Sequence, residues 1–155
     1  MKRWMSFLCL IVLILAGCTN SHVKESKPPK AEVITDGKHY KTVLGSYCWD
    51  NGDNGVCVDS VWTKSGKRPL AVQPIAAQPG ADIELKIDYD PQPNEVHLTQ
   101  ENGEKEIELP VEKGHFKAPG NPGTYFYIYS VWWMDKKDKH LSNGDASYGF
   151  ELNVQ

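Results

Sequence analysis

From residue 39 onward, apolar and polar side chains alternate at period two in short runs broken by Gly, Pro, Asn and Asp. No stretch of ten or more residues carries apolar positions at helical spacing. The alternation is cleanest at Ile83-Leu85-Ile87-Tyr89, with Asp82, Glu84, Lys86 and Asp88 on the opposite face. It is equally clear at Ala146-Tyr148-Phe150-Leu152-Val154. Both read as half-buried strands. Between them, Val96-His97-Leu98, Ile107-Leu109-Val111, a short segment around Phe116 and the run Thr124 to Met134 supply further strands. Upstream, Tyr40 to Trp49 and Val56 to Trp62 form a hairpin. Turn signals recur roughly every ten residues: Pro79-Gly80, Pro91 to Asn94, Asn102-Gly103, Lys113-Gly114, Pro119 to Gly123 and Asn143-Gly144. The pattern predicts an all-β sandwich of about seven to nine strands.

The run Tyr125-Phe126-Tyr127-Ile128-Tyr129-Ser130-Val131-Trp132-Trp133-Met134 is apolar on both faces. If Tyr125, Tyr127, Tyr129, Val131 and Trp133 face the core, then Phe126, Ile128, Trp132 and Met134 face outward, and such a face must be covered. The first expectation is that the upstream hairpin lies across it. The sharper one is that Trp132, with Trp49, Trp62 and Phe126, forms an exposed aromatic platform for sugar, peptide or protein.

The first residues follow a different rule. Lys2 and Arg3 precede an apolar run from Trp4 to Leu15, too short to span a bilayer comfortably and typical of a secretory signal. It ends in Leu15-Ala16-Gly17-Cys18, which resembles the lipobox of bacterial lipoproteins. That resemblance implies cleavage after residue 17 and a diacylglycerol on Cys18. It places the protein, lipid-anchored, on the extracytoplasmic face of a bacterial membrane: the cell membrane in a Gram-positive host, the outer membrane in a Gram-negative one. The bilayer is then a partner through the acyl anchor. Thr19 to Lys30 is polar and contains Pro28-Pro29. The expected organisation is a signal peptide over 1–17, a lipidated cysteine and flexible tether over 18–38, and a single all-β domain over 39–155.

Charge changes the picture little. The chain carries 17 basic and 20 acidic residues, and losing Lys2 and Arg3 leaves 15 against 20. No basic patch points to nucleic acid. Cysteine usage says more. With Cys9 in the signal and Cys18 lipidated, Cys48 and Cys57 are the pair left in an exported domain, where oxidation is the default. The intervening WDNGDNGV reads as a turn, so a Cys48–Cys57 bond would clip the hairpin.

At Pro122-Gly123-Thr124-Tyr125 the sequence resembles the start of strand F in immunoglobulin-like and fibronectin-like domains. There a G-x-Y places a corner tyrosine whose hydroxyl bonds back to the chain. The likeness runs loosely over Ala76 to Val154, with Gln78-Pro79-Gly80 before the first strong strand. It departs from the family in lacking an inter-sheet cysteine pair and a Trp on the strand around Val96. Tyr40 to Pro69 has no equivalent. What it implies is an immunoglobulin-like antiparallel β-sandwich with an N-terminal disulfide-clipped hairpin.

Catalytic chemistry finds no purchase. His39, His97, His115 and His140 stand singly, without metal-ligand spacing. Ser46, Ser60, Ser65, Ser130, Ser142 and Ser147 lie in no G-x-S-x-G elbow, and C-x₈-C is unlike a redox-active C-x-x-C. Asp50, Asp53 and Asp59, with Asn51 and Asn54, offer oxygen donors to Ca²⁺, but their spacing departs from an EF-hand loop and a hairpin turn is the simpler reading. Asp135 to Lys139 reads as a solvated hairpin connection. No cofactor or enzymatic activity is expected. The expectation is a binding module for cell-wall glycan, peptide or an envelope protein. The alternatives are an accessory subunit of an envelope complex or, further off, a small envelope enzyme whose site assembles only on folding.

Overall fold

The computed structural model describes residues 26–50, 54–60, 72–102 and 105–155. Residues 1–25 with Cys18, 51–53 with Asp53, 61–71 with Trp62, and 103–104 lie outside the described residues, and with them the expected signal peptide, lipidation site and most of the expected tether.

The cleanest alternation gives the best-buried strands. β6 (Asp82–Ile87) turns Ile83, Leu85 and Ile87 inward, and the final strand β11 (Ser142–Val154) turns in Ala146, Tyr148, Phe150, Leu152 and Val154. Each large apolar side chain so buried contributes about 1.5–3 kcal/mol. The aromatic run is one long strand, β10 (Gly123–Met134). It pairs antiparallel with β11 from Gly123↔Val154 to Met134↔Ser142, with a bulge between Trp132 and Met134. On its other side it takes β7 (Glu95–Asn102), which carries β8 (Lys105–Leu109) at the edge. A third segment, β9 (His115–Lys117), adds to β6.

Two strands form where a tether was expected. β1 (Ala31–Thr35) pairs with β6 and turns through Asp36-Gly37, both at positive φ, into β2 (Lys38–Lys41). An Asp-Gly pair with φ positive at both positions is the type I′ geometry that closes two-residue hairpins. Pro28 and Pro29 are themselves buried, and the Tyr148 hydroxyl donates to the Pro29 carbonyl. The packed domain therefore already includes Pro28 and Pro29 and does not start at residue 39. The reason is that β1 packs only the small side chains of Ala31, Val33 and Thr35 inward, too little apolar surface to stand out in the sequence.

The clipped hairpin is β3 (Val43–Asp50) with β4 (Gly55–Val58), and Cys48 and Cys57 are bonded as direct cross-strand partners with Cα atoms 4.1 Å apart. It does not lie across β10. Instead β3 pairs edge to edge with the first half of β11, while β5 (Pro74–Ala77) runs parallel along the second half. The result is two sheets: β2-β1-β6-β9, and a seven-stranded sheet β4-β3-β11-β10-β7-β8 with β5 beside β11.

The sheets face each other over one core. Phe116 of the small sheet lies with its ring centroid 5.3 Å from Tyr127, whose ring stacks on Phe150 at 5.0 Å. The Tyr127 hydroxyl donates to buried Gln100. Burial pushes the Tyr127 and Tyr148 hydroxyls well above the usual tyrosine range and that of Tyr129 up to about 12. All three stay neutral.

Strands β5–β11 make an immunoglobulin-like sandwich of seven strands, with β7, β10 and β11 facing β6 and β9. The Tyr125 hydroxyl donates to the Asn121 carbonyl at 3.0 Å, which is the corner geometry the G-T-Y motif predicts, and its ring lies over Gly123. Among the described residues eleven strands form, because β1–β2 and β3–β4 extend the two sheets at their edges.

Candidate functional site

Period two on β10 holds as read. Tyr127, Tyr129, Val131 and Trp133 are buried in the core with Tyr125 packed against it, and Phe126, Ile128, Trp132 and Met134 point to the outer face of the large sheet. Among the described residues the aromatic platform does not assemble. Trp49 lies on the opposite side, 7% exposed, because Tyr47 and Trp49 are the inward positions of β3. Its ring meets Trp133 edge to face at 5.0 Å and Tyr89 at 5.5 Å, while the Trp133 indole N–H donates to the Pro91 carbonyl at 2.7 Å. Gly144 lets that ring rest on β11: a Cβ there would stand 2.6 Å from the Trp49 ring. Phe126 faces outward but is only 5% exposed. Of the three described, Trp49, Phe126 and Trp132, only Trp132 remains as a half-buried aromatic on the outer face.

Register defines what surrounds it. Trp132 is the direct cross-strand partner of Glu95 on β7 and of Asp145 on β11, so two carboxylates flank the indole. His97, two residues along β7, meets the Trp132 ring edge-on at 5.4 Å. The His97 Nδ1 lies 2.6 Å from Glu108 of β8 and its Nε2 lies 3.2 Å from Glu95. Both contacts are satisfied together only by the imidazolium, so the Glu108 carboxylate, then Glu95, raises the His97 pKa above its ordinary value. Asp145 accepts the Cys48 backbone N–H at 3.2 Å, which ties the clipped hairpin to the same corner. Glu108, Glu95 and His97 keep 67%, 50% and 43% of their side chains exposed, so this corner is open to solvent. Sequence reading treated His97 as a lone histidine, because the signal is cross-strand proximity between β7, β8 and β10.

The outer face continues in the same key. Glu101 and Glu151 are the partners of Phe126, and Glu106 pairs with Glu101. Among the described residues, no outward position on the strands of this sheet is Lys or Arg. Lys136, Lys137 and Lys139 lie in the exposed β10–β11 loop, a solvated connection as expected, where Asp135 accepts the Lys137 and Asp138 N–H groups. Those bonds hold its carboxyl below the usual range.

His39 and His115 also sit against carboxylates, on Glu32 at 2.8 Å and on Asp82 at 2.7 Å, and the His140 backbone N–H donates to Asp138. The hydroxyls of Ser46, Ser142 and Ser147 bond to backbone carbonyls, and Ser46 also to Asp59. Asp50 ends β3 and Asp59 is thus engaged. Among the described residues, no three His, Cys, Asp or Glu side chains converge closely enough to hold a metal ion. An open groove of about 490 Å³ runs along the sandwich flank between Leu109 of β8 and His115 and Phe116 of β9. Of its two carboxylates, Asp82 and Glu112, Asp82 is paired with His115 and with Lys117 at 3.2 Å.

Neither a protein-family model nor a curated protein sequence matches this chain. Its site is read from its own geometry.

Proposed function

We propose that this protein is an exported lipoprotein, anchored through acyl chains on Cys18 at the extracytoplasmic face of a bacterial membrane. On this reading its sandwich is a non-enzymatic binding module that meets its partner through the outer face of the large sheet, centred on Trp132. The observation that carries the reading is the half-buried Trp132 indole, bracketed by Glu95 and Asp145 and touched by His97, on a face with an apolar strip. An indole left partly wet beside charged groups is a contact surface rather than core. The anchor fits this placement. With Pro28 already part of the packed domain, about ten residues separate it from Cys18, and fully extended they reach at most ~35 Å. The module therefore works close to the bilayer surface.

Two measurements test it. Growth with labelled palmitate should label the wild-type chain and leave Cys18→Ser unlabelled; label on the variant removes the anchor. A photo-crosslinking amino acid at position 132 should join the full chain to an envelope component, whereas one at Glu84, on the outer face of the small sheet, should not. Equal products from both positions remove the surface.

A further inference from the structure

The two outer faces of the sandwich handle charge differently. On the small sheet every carboxylate with a strand partner faces a basic residue: Glu32 stands opposite Lys41 and Lys86 and bonds His39, Glu84 stands opposite His115, and Asp82 stands opposite Lys117 and bonds both Lys117 and His115. That face neutralises itself. On the large sheet Glu95 and Glu108 converge on the single His97, and Asp145 flanks Trp132 from the other side. The described strands there offer no lysine or arginine on the outward side. Two carboxylates with one imidazole between them leave excess negative charge even when His97 is protonated.

Resting on the reading of this face as the contact surface, we propose that its partner is a cationic polypeptide segment, one that sets lysine or arginine side chains on Glu95, Glu108 and Asp145 and apolar side chains on Trp132, Ile128 and Met134. Ile128, Trp132 and Met134 run along one strand, and alternate side chains of an extended chain recur at about 7 Å, the spacing on which such a strip is read. Complementary rim charges steer encounter and select against partners of the wrong sign. Phosphate-bearing wall polymers and acidic lipid headgroups carry that wrong sign. A neutral glycan would use the indole and draw nothing from the carboxylates' charge. A polypeptide uses both parts of the face.

The test uses the full lipidated chain in nanodiscs of phosphatidylcholine, which carry no net charge. The probes are a fluorescent lysine–valine alternating octapeptide and its glutamate–valine counterpart. The lysine peptide should bind and the glutamate peptide should not. Glu95→Gln with Glu108→Gln should weaken binding on the order of tenfold, as should raising NaCl from 50 to 500 mM. Glu32→Gln with Glu84→Gln, on the other face, should leave it unchanged. Equal binding of both peptides, or equal weakening by the two pairs of substitutions, overturns the proposal. So do carboxylate-to-lysine cross-links that join Glu95 or Glu108 only to Lys64 or Lys67 of the same chain. Disaccharide fragments of wall glycan that bind through Trp132, unaffected by the Gln variants, would leave the contact surface standing and remove the cationic partner. Trp132→Ala without effect on any probe removes both.

Discussion

Trp132 and Trp133 are adjacent in the chain and opposite in physics. Trp133 points inward, meets Trp49 and Tyr89 edge to face, and spends its indole N–H on the Pro91 carbonyl. Trp132 points outward, is half-buried and meets a histidine held between two glutamates. A strand has two sides, and here one side closes the core while the other, at its Trp132 end, borders acidic side chains. Composition gives the two residues identical weight. Alternation along the strand separates them, and the partner strands give each its surroundings.

The largest expected effect tests that division directly. Trp133→Ala should cost about 3–5 kcal/mol, since it removes a buried indole, empties space between two rings and strands the Pro91 carbonyl. Trp132→Ala should cost less than about 1 kcal/mol. Urea unfolding followed by circular dichroism measures both. Similar losses at the two positions would show that the outer face is structural, and the contact surface would go with it.

A smaller effect sharpens the inner half of the comparison. Gly144→Ala puts a methyl where the Trp49 ring now rests, 2.6 Å from its nearest atom, and overpacking of this kind costs about 1–3 kcal/mol. The penalty should shrink when Trp49→Leu is introduced first, because the obstructing ring is gone. A double-mutant cycle reads the coupling. Additive costs would mean that Gly144 matters for its backbone alone.

How much of this was legible follows the same line. Period-two alternation placed β6, β10 and β11 and told Trp132 from Trp133, because facing along one strand is a local property. The G-x-Y motif likewise located the Tyr125 corner within four residues of its acceptor. The strand β1 was missed, since Ala31, Val33 and Thr35 are too small or too polar to announce a buried face. The destination of the clipped hairpin was hidden for another reason. Whether β3 covers β10 or extends the sheet beside β11 depends on register between segments almost a hundred residues apart. That register also sets Trp49 on the core side, while the pairing of β10 with β7 and β11, and of β7 with β8, gathers Glu95, Glu108 and Asp145 around Trp132 and His97. The site was therefore half readable, its aromatic centre from the strand and its charges only from the fold.

The smallest expected effect concerns the outer half alone. The glutamates that hold His97 raise its pKa above 6.5, and its ring remains too exposed for the pair to contribute more than about 0.2–1 kcal/mol. Because the folded value is the higher one, this stability is fully present below the unfolded pKa near 6.5 and is lost as pH rises through the folded value. Unfolding free energy should therefore fall slightly from about pH 6 to pH 8 in the wild type. The fall should lessen in His97→Gln, which keeps hydrogen-bonding capacity but cannot take up a proton. NMR titration of the ring would place the folded pKa independently. A value at or below 6.5 would mean that Glu95 and Glu108 do not grip the imidazolium. Trp132 would then border a looser cluster, and the acidic corner would lose the fixed geometry that separates it from ordinary surface charge.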